Sequence, residues 1–347
     1  MILTRSPYYK SVPWNRPSDG ATADSYKLEL FIWTGNKTTD VPLSATYSIV
    51  KENIEVSTGT DKVDVARLIN DYIDNTVITG SLTGLKTTNS CVWVKHQIKY
   101  TVGANITNEL VVTDFATQGY GYGYEGENHQ APNNMLTDVL EVDVYEDGYL
   151  MLPIVRSNNL LRVTSFPKNI FFQEATITAS TESTQNVSVF NIDMTEYISG
   201  EEYININYDG VDFTAYIRDE CLYTPIDVQF INRYGASQTI TFFKERRDSM
   251  SVKGSTYESS SAQPSTGKHQ FVDYNVNGKT SFEANTGYLS EDANELIKQL
   301  ILSEEVWIGG IPVNTKTKNV EYKTQVNDRL VNYTMQFEYS YNEINTI

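Results

Sequence analysis

Along residues 26–33, YKLELFIW, side chains alternate: Lys27, Glu29 and Phe31 fall on one side, Leu28, Leu30 and Ile32 on the other. A period of two with one apolar set predicts a strand with one buried face. The loop TGNKTTD follows, and ATYSIVKE predicts a second strand. The period then changes in KVDVARLINDYIDN (62–75), where Val65, Leu68, Ile69 and Tyr72 sit at i, i+3, i+4 and i+7. That spacing predicts a two-turn helix. In CVWVKHQIKYTV (91–102), Val92, Val94, His96 and Ile98 share one face of a strand. DVLEVDVYEDG and YLMLPIV, joined through Glu146-Asp147-Gly148, carry a hairpin signature. Short strands and turn signals at this density predict an antiparallel β-sandwich domain over 26–157.

A second β domain is expected over 158–247, from ATITAST, NVSVFNI, YININYDGVDFTAYI and IDVQFINRYGASQTITFFK. Asp209-Gly210 at the centre of Tyr208–Val211 predicts a two-residue hairpin turn, because both central positions need positive φ. Residues 248–267 are rich in Ser, Thr and Gly and read as a linker or long exposed loop. Residues 268–347 predict a small α+β domain. Its parts are a hairpin around Asn277-Gly278, then a helix over 290–302 with Ser290 as cap and Leu296, Ile297, Leu300 and Ile301 on one face. Residues 1–25 contain Pro7, Pro13 and Pro17, with Tyr8, Tyr9 and Trp14 between them. They are expected to form an extended arm that orders on docking to a neighbour. The fold expected is therefore mainly β: two antiparallel β-sandwich-like domains followed by a small α+β domain.

Composition narrows the partners. Of 347 residues, 40% are hydrophobic, enough for packed cores. The chain carries 27 basic and 44 acidic residues, a net charge of −17, and its one basic cluster is KERR at 244–247. Direct nucleic-acid binding is not expected, since neutralising phosphates needs clustered Lys and Arg. No run of 18 apolar residues points to a membrane span, and the proline-broken start does not read as an export signal. Cys91 and Cys221 lie far apart and read as reduced, buried thiols. The 24 tyrosines favour strands and subunit interfaces.

Catalytic chemistry is thinly represented. Among three histidines, His96 reads as a satisfied, half-buried strand residue, and His269 has no partner nearby in sequence. No G-x-S-x-G, H-E-x-x-H or C-x-x-C occurs. Carboxylate pairs for glycoside hydrolysis are a matter of three-dimensional separation. Asp273, Asn275, Asn277 and Gly278 match the early positions of a calcium loop, but Ala284 stands where a bidentate glutamate belongs. No metal or cofactor is expected. The distinctive stretch is ATQGYGYGYEGENHQAPNN (116–134). Its glycines alternate with tyrosines and open no helix, which excludes a dinucleotide loop. Three readings remain for it. Glu125, Glu127 and His129 could share a metal, and Tyr120, Tyr122 and Tyr124 could stack on a sugar while Asn128, Gln130, Asn133 and Asn134 bond its hydroxyls. Alternatively the tyrosines pack on protein, with Tyr120, Tyr122, Tyr124, Asn128 and His129 as a subunit-contact loop.

Taken in order, SPYYKSVPW, YKLELFIWTG, DKVDVARLINDYID, GYGYGYEG, YTPIDVQFINRYGASQTITFFK and the ending from NTGYLSEDANELIKQLIL to NYTMQFEYSYNEI resemble virion proteins of tailed phages that infect Bacteroidetes, crAss-like phages included. The resemblance is to a tail structural component of hub, adaptor or baseplate type, and it carries no active site. It implies a non-enzymatic, multi-domain β-rich subunit of the virion tail, assembled in the host cytoplasm. Its partners would be copies of itself in a ring around the tail axis and neighbouring tail proteins. A carbohydrate- or receptor-binding module and a glycan-cleaving tail enzyme are the alternatives from other classes.

Overall fold

The computed structural model describes the chain except residues 55–57, 80–82, 89, 169, 198–199, 221, 260–266, 268, 322–329 and 345–347. Cys221 therefore lies outside the described residues. The fold is mainly β, with a few short helices.

The first sheet orders Ile2–Leu3, Asn105–Thr117, Val92–Val102, Ser25–Trp33 and Tyr47–Glu52. In Ser25–Trp33 the expected face is buried, with Leu28, Leu30 and Ile32 entering this sheet's core beside Val94, Ile98 and Tyr100. The opposite face, Glu29, Phe31 and Trp33, is buried too, so the strand is covered on both sides and not one. Phe31 and Trp33 form a smaller cluster with Trp93. The helix in 62–75 is shorter than its period implies, Ala66–Asn70, because Thr60–Asp64 is drawn into a strand against Tyr9–Pro13.

That pairing corrects the picture of a free N-terminal arm. Ile2–Leu3 adds in parallel to Asn105–Thr117, and the Tyr8 amide donates to Asp64 Oδ1 at 3.2 Å. Trp14 is buried against Tyr26, their ring centroids 4.9 Å apart. The prolines interrupt short strands without freeing the segment.

Two sheets share the middle core. One is Tyr149–Val155, Val187–Asp193 and Gly84–Thr87. The other is Ile170–Ile177, Asn159–Phe166, Tyr203–Tyr208, Val211–Arg218 and Glu141–Tyr145. Leu150, Leu152, Phe190 and Ile192 meet Leu161, Val163, Ile204 and Ile206 between them. The Asp209-Gly210 turn forms as expected, with φ of 53° and 76°. The Glu146–Gly148 turn does not make a hairpin. Its flanking strands enter different sheets: Glu141–Tyr145 pairs in parallel with Val211–Arg218, and Tyr149–Val155 pairs antiparallel with Val187–Asp193.

The third sheet orders Ser237–Phe242, Ile226–Ile231, Val306–Ile308, Ile311–Thr315, Thr334–Tyr339, Phe271–Asn285 and Arg246–Glu258. Residues 226–242 thus belong with the C-terminal part, and residues 84–87 and 141–155 with the middle one. The helix is Ala293–Leu302, with Asp292 as N-cap; Ser290 sits in the two-residue strand Leu289–Ser290 and does not cap it. Leu296, Ile297 and Leu300 pack on Val228, Phe230, Phe282 and Phe337, as the helical period requires. The expected linker over 248–267 is overturned where described: Arg246–Glu258 is a regular strand. Nor does Asn277-Gly278 turn the chain. It lies inside Phe271–Asn285, Asn277 opposite Lys253 and Gly278 opposite Val252.

His96 departs from the satisfied, half-buried residue expected. It is 0% exposed, and among the described residues neither ring nitrogen has a hydrogen-bond partner. Burial pushes its pKa down to about 3, with Lys10 adding to the effect. The folded protein keeps it neutral, while the unfolded chain takes up a proton below about pH 6.5. Its contribution to stability is complete above that pH and falls as the pH drops. At pH 5 the expected loss is about 2 kcal/mol. Urea melts of wild type and His96→Leu between pH 7.5 and 5 check this: the gap between their pH slopes should match that loss, and parallel slopes would refute it.

Candidate functional site

The glycine–tyrosine stretch leaves the first sheet at Thr117 and crosses to the loop between Ile226–Ile231 and Ser237–Phe242. Two glycines permit the approach. A Cβ on Gly119 would stand 2.6 Å from the Arg233 carbonyl oxygen, and one on Gly235, at φ 73°, 2.6 Å from the Gln118 nitrogen. The Tyr120 amide donates to that Arg233 carbonyl at 2.7 Å, and Thr117 Oγ1 to the Tyr234 carbonyl at 2.7 Å. From the other side, the Arg5 amide donates to the Gly119 carbonyl at 2.9 Å.

Arg233, only 5% exposed, gathers Glu125 and His129 of the stretch around its guanidinium. Its Nη2 lies 2.7 Å from both Glu125 carboxylate oxygens and 2.7 Å from His129 Nε2. Its Nη1 lies 3.4 Å from Asp138 Oδ2. The Glu125 carboxylate also accepts from the Tyr122 amide at 2.6 Å, closing a single 3₁₀ turn over Gly123–Glu125. Desolvation pushes the Glu125 carboxyl up, but the Arg233 and Tyr122 hydrogen bonds outweigh it and hold the carboxyl below its ordinary value. The pair therefore survives until the pH falls below the usual carboxylate range. Tyr122 lies between two cations, Arg233 at 4.6 Å and Lys298 at 3.3 Å from its ring centroid, and its hydroxyl donates to Glu295 of the helix Ala293–Leu302. Gln299 Nε2 bonds Glu295 Oε1 at 3.2 Å and Asp138 Oδ2 at 2.9 Å.

The five contact-loop residues have unequal fates. Tyr120 is 8% exposed, with Arg5 over its ring at 5.0 Å. Tyr122 is half-buried as described, and Tyr124, stacked on it at 5.6 Å, is 81% exposed. Asn128, at φ 57°, clasps the Tyr9 backbone, accepting from its nitrogen at 2.6 Å and donating to its carbonyl at 3.1 Å. Asn134 donates to Asp209 at 2.7 Å, and Asn133 accepts from the Met135 amide at 3.0 Å. One ring thus remains open for stacking, and those amides are spent within the chain. Glu127 turns away to Lys62, so Glu125, Glu127 and His129 do not converge. Among the described residues, no three His, Cys, Asp or Glu side chains form a group able to hold a metal. Asp273, Asn275 and Asn277 are strung along one strand, where Asp273 accepts from Thr256 at 2.6 Å.

The structure adds a surface that sequence reasoning missed. Past Ser281, among the described residues, no third strand joins the ribbon of Arg246–Glu258 and Phe271–Asn285. The Glu343 amide braces it at the Gly278 carbonyl (2.9 Å) and the Asn277 amide group holds the Ile344 carbonyl (2.8 Å). The two-stranded part, Thr280 to Phe271, reaches about 30 Å. A bulge at Asn275, φ 52°, shifts its register between Lys253 and Ser255. Met250, Val252, Tyr257, Phe271, Tyr274 and Val276 are all exposed along it. The available signal was the apolar alternation Met250-x-Val252 within the Ser/Thr run.

No protein-family model matches the chain, and no curated protein matches it either. Among the described residues, no helix is long and apolar enough to cross a membrane.

The Arg233 cluster yields a prediction. Arg233→Met leaves Glu125 without its cation and should destabilise the protein by about 3 kcal/mol, with new protease cuts in 119–130. Tyr124→Ala should stay within about 0.5 kcal/mol of wild type. Thermal melts with limited proteolysis check both, and equal effects would show that the loop is not held through Arg233.

Proposed function

We propose that the protein is a non-enzymatic structural subunit of a phage virion, a tail hub or ring component that associates with copies of itself around the tail axis. The observation that carries this reading is the projecting ribbon with its exposed aromatic and aliphatic side chains. A lone two-stranded ribbon is marginally stable in water, and exposed apolar surface of this kind marks interaction sites. Its outer strand, Arg246–Glu258, is a sheet edge with unpaired backbone groups, a template for a further strand. The net charge of −17 supports a place beside a DNA passage, since an acidic wall repels phosphate. The glycan-binding alternative retains the open ring of Tyr124.

Native mass measurement of the purified protein tests the reading. Assemblies of fixed copy number are expected above the 39.3 kDa chain mass. The double variant Val252→Asp, Tyr274→Asp should fall back to monomer with its melting temperature unchanged. A wild-type protein that stays monomeric at every concentration, and is absent from purified virions, would overturn it.

A further inference from the structure

The face of the third sheet opposite its helix is polar around Asp227, Gln229, Thr239 and Thr241, and it meets the strand Tyr149–Val155 of the middle part. The two leave a cavity of about 550 Å³ between them, walled by Trp307, Tyr149, Met151 and Ile226 and lined also by Gly309 and Gly310. That volume lies within the range of small-ligand sites, which favour the joints between structural units.

Its polar groups are unequal. The Gln229 amide, oriented to match its surroundings, is spent on the Ile78 backbone, donating to the carbonyl at 3.2 Å and accepting from the nitrogen at 3.0 Å. Asp227 lines the cavity and, among the described residues, accepts from neutral donors only, Thr241 Oγ1 at 2.6 Å and the Tyr149 amide at 3.0 Å. Among the described residues no Lys, Arg or His forms an ion pair with it. A desolvated carboxylate without a counter-charge is costly, and a cation reaching it removes that cost. Burial accordingly pushes the Asp227 carboxyl above its ordinary value, against the two hydrogen bonds. Trp307 is the one half-buried tryptophan, whereas Trp14, Trp33 and Trp93 are buried. An indole face beside a carboxylate suits a cation on an apolar stem.

We propose that this cavity binds an organic cation, a guanidinium or ammonium group on a short apolar stem, with its head on Asp227 and its stem along Trp307, Met151 and Ile226. The site is independent of the proposed tail function and would stand if that reading failed.

Tryptophan fluorescence of the full chain, titrated with N-butylguanidinium and with its neutral counterpart N-butylurea, tests it. Saturable change is expected with the cation and at least about tenfold weaker binding of the urea. Asp227→Asn should abolish the difference, and Trp307→Phe the signal. Nα-acetylarginine methylamide, beside its citrulline counterpart, identifies the source. Tighter binding than butylguanidinium assigns the head to a side chain of another protein, weaker binding to a free small molecule, and both sustain the site. Equal affinity for charged and neutral partners in the wild type, or no saturation with either cation, would overturn the proposal without depending on any variant's folding.

Discussion

A guanidinium taken out of water must have its charge answered on the spot, and Arg233 is where this fold meets that constraint. Its hydrogen-bonding and ionic partners come from Glu125, His129 and Asp138, about a hundred residues away in the chain. The planar fork serves carboxylates and ring face together, which a lysine ammonium does not. Tyr122 extends the cluster to Lys298 and Glu295 on the C-terminal helix, while Arg5 and Tyr9 bind the same stretch from the N-terminal segment. One loop thus ties the first sheet, the third sheet and the chain's beginning into a single joint. Gly119 and Gly235 are required there because backbone lies where any side chain would stand.

The projecting ribbon obeys the opposite rule. Its backbone groups pair on one side only, across the partner strand, and little apolar surface is covered, so its stabilisation comes from its root. There Ser281–Asn285 pairs with Thr334–Glu338, and Phe282 stacks on Phe337 at 5.5 Å. At Gly278 a side chain would collide only with the terminal methyl of Met250, an exposed and flexible side chain that can move aside. An aromatic loop that reads as a contact surface is therefore mostly internal, and a Ser/Thr-rich run that reads as a linker carries exposed surface.

Charge follows the same division. Residues 246–285 hold five basic side chains (Arg246, Arg247, Lys253, Lys268, Lys279) against four acidic ones (Asp248, Glu258, Asp273, Glu283). The remainder, from totals of 27 and 44, holds 22 basic and 40 acidic residues. The ribbon is nearly neutral on a strongly acidic body, and charge repulsion opposes its contact with another copy less than it opposes contact between bodies.

The sequence alone determined the mainly β class, the alternating strand Ser25–Trp33, the Asp209-Gly210 turn and the apolar face of the C-terminal helix. Each follows from backbone geometry acting over a few residues, and so is written locally. Tertiary structure decided which strands share a sheet. Glu141–Tyr145 and Tyr149–Val155, separated by three residues, pair with different partners in different sheets. It also decided that Thr60–Asp64 becomes strand, that Asn277-Gly278 is crossed without a turn, and that His96 is sealed with no hydrogen-bond partner among the described residues. For the glycine–tyrosine loop, the sequence supplied the glycines, rings and carboxylates. Only the arrival of Arg233 from the far side of the fold turned them into a joint, because bringing distant segments together costs little more entropy than near ones and leaves no local trace.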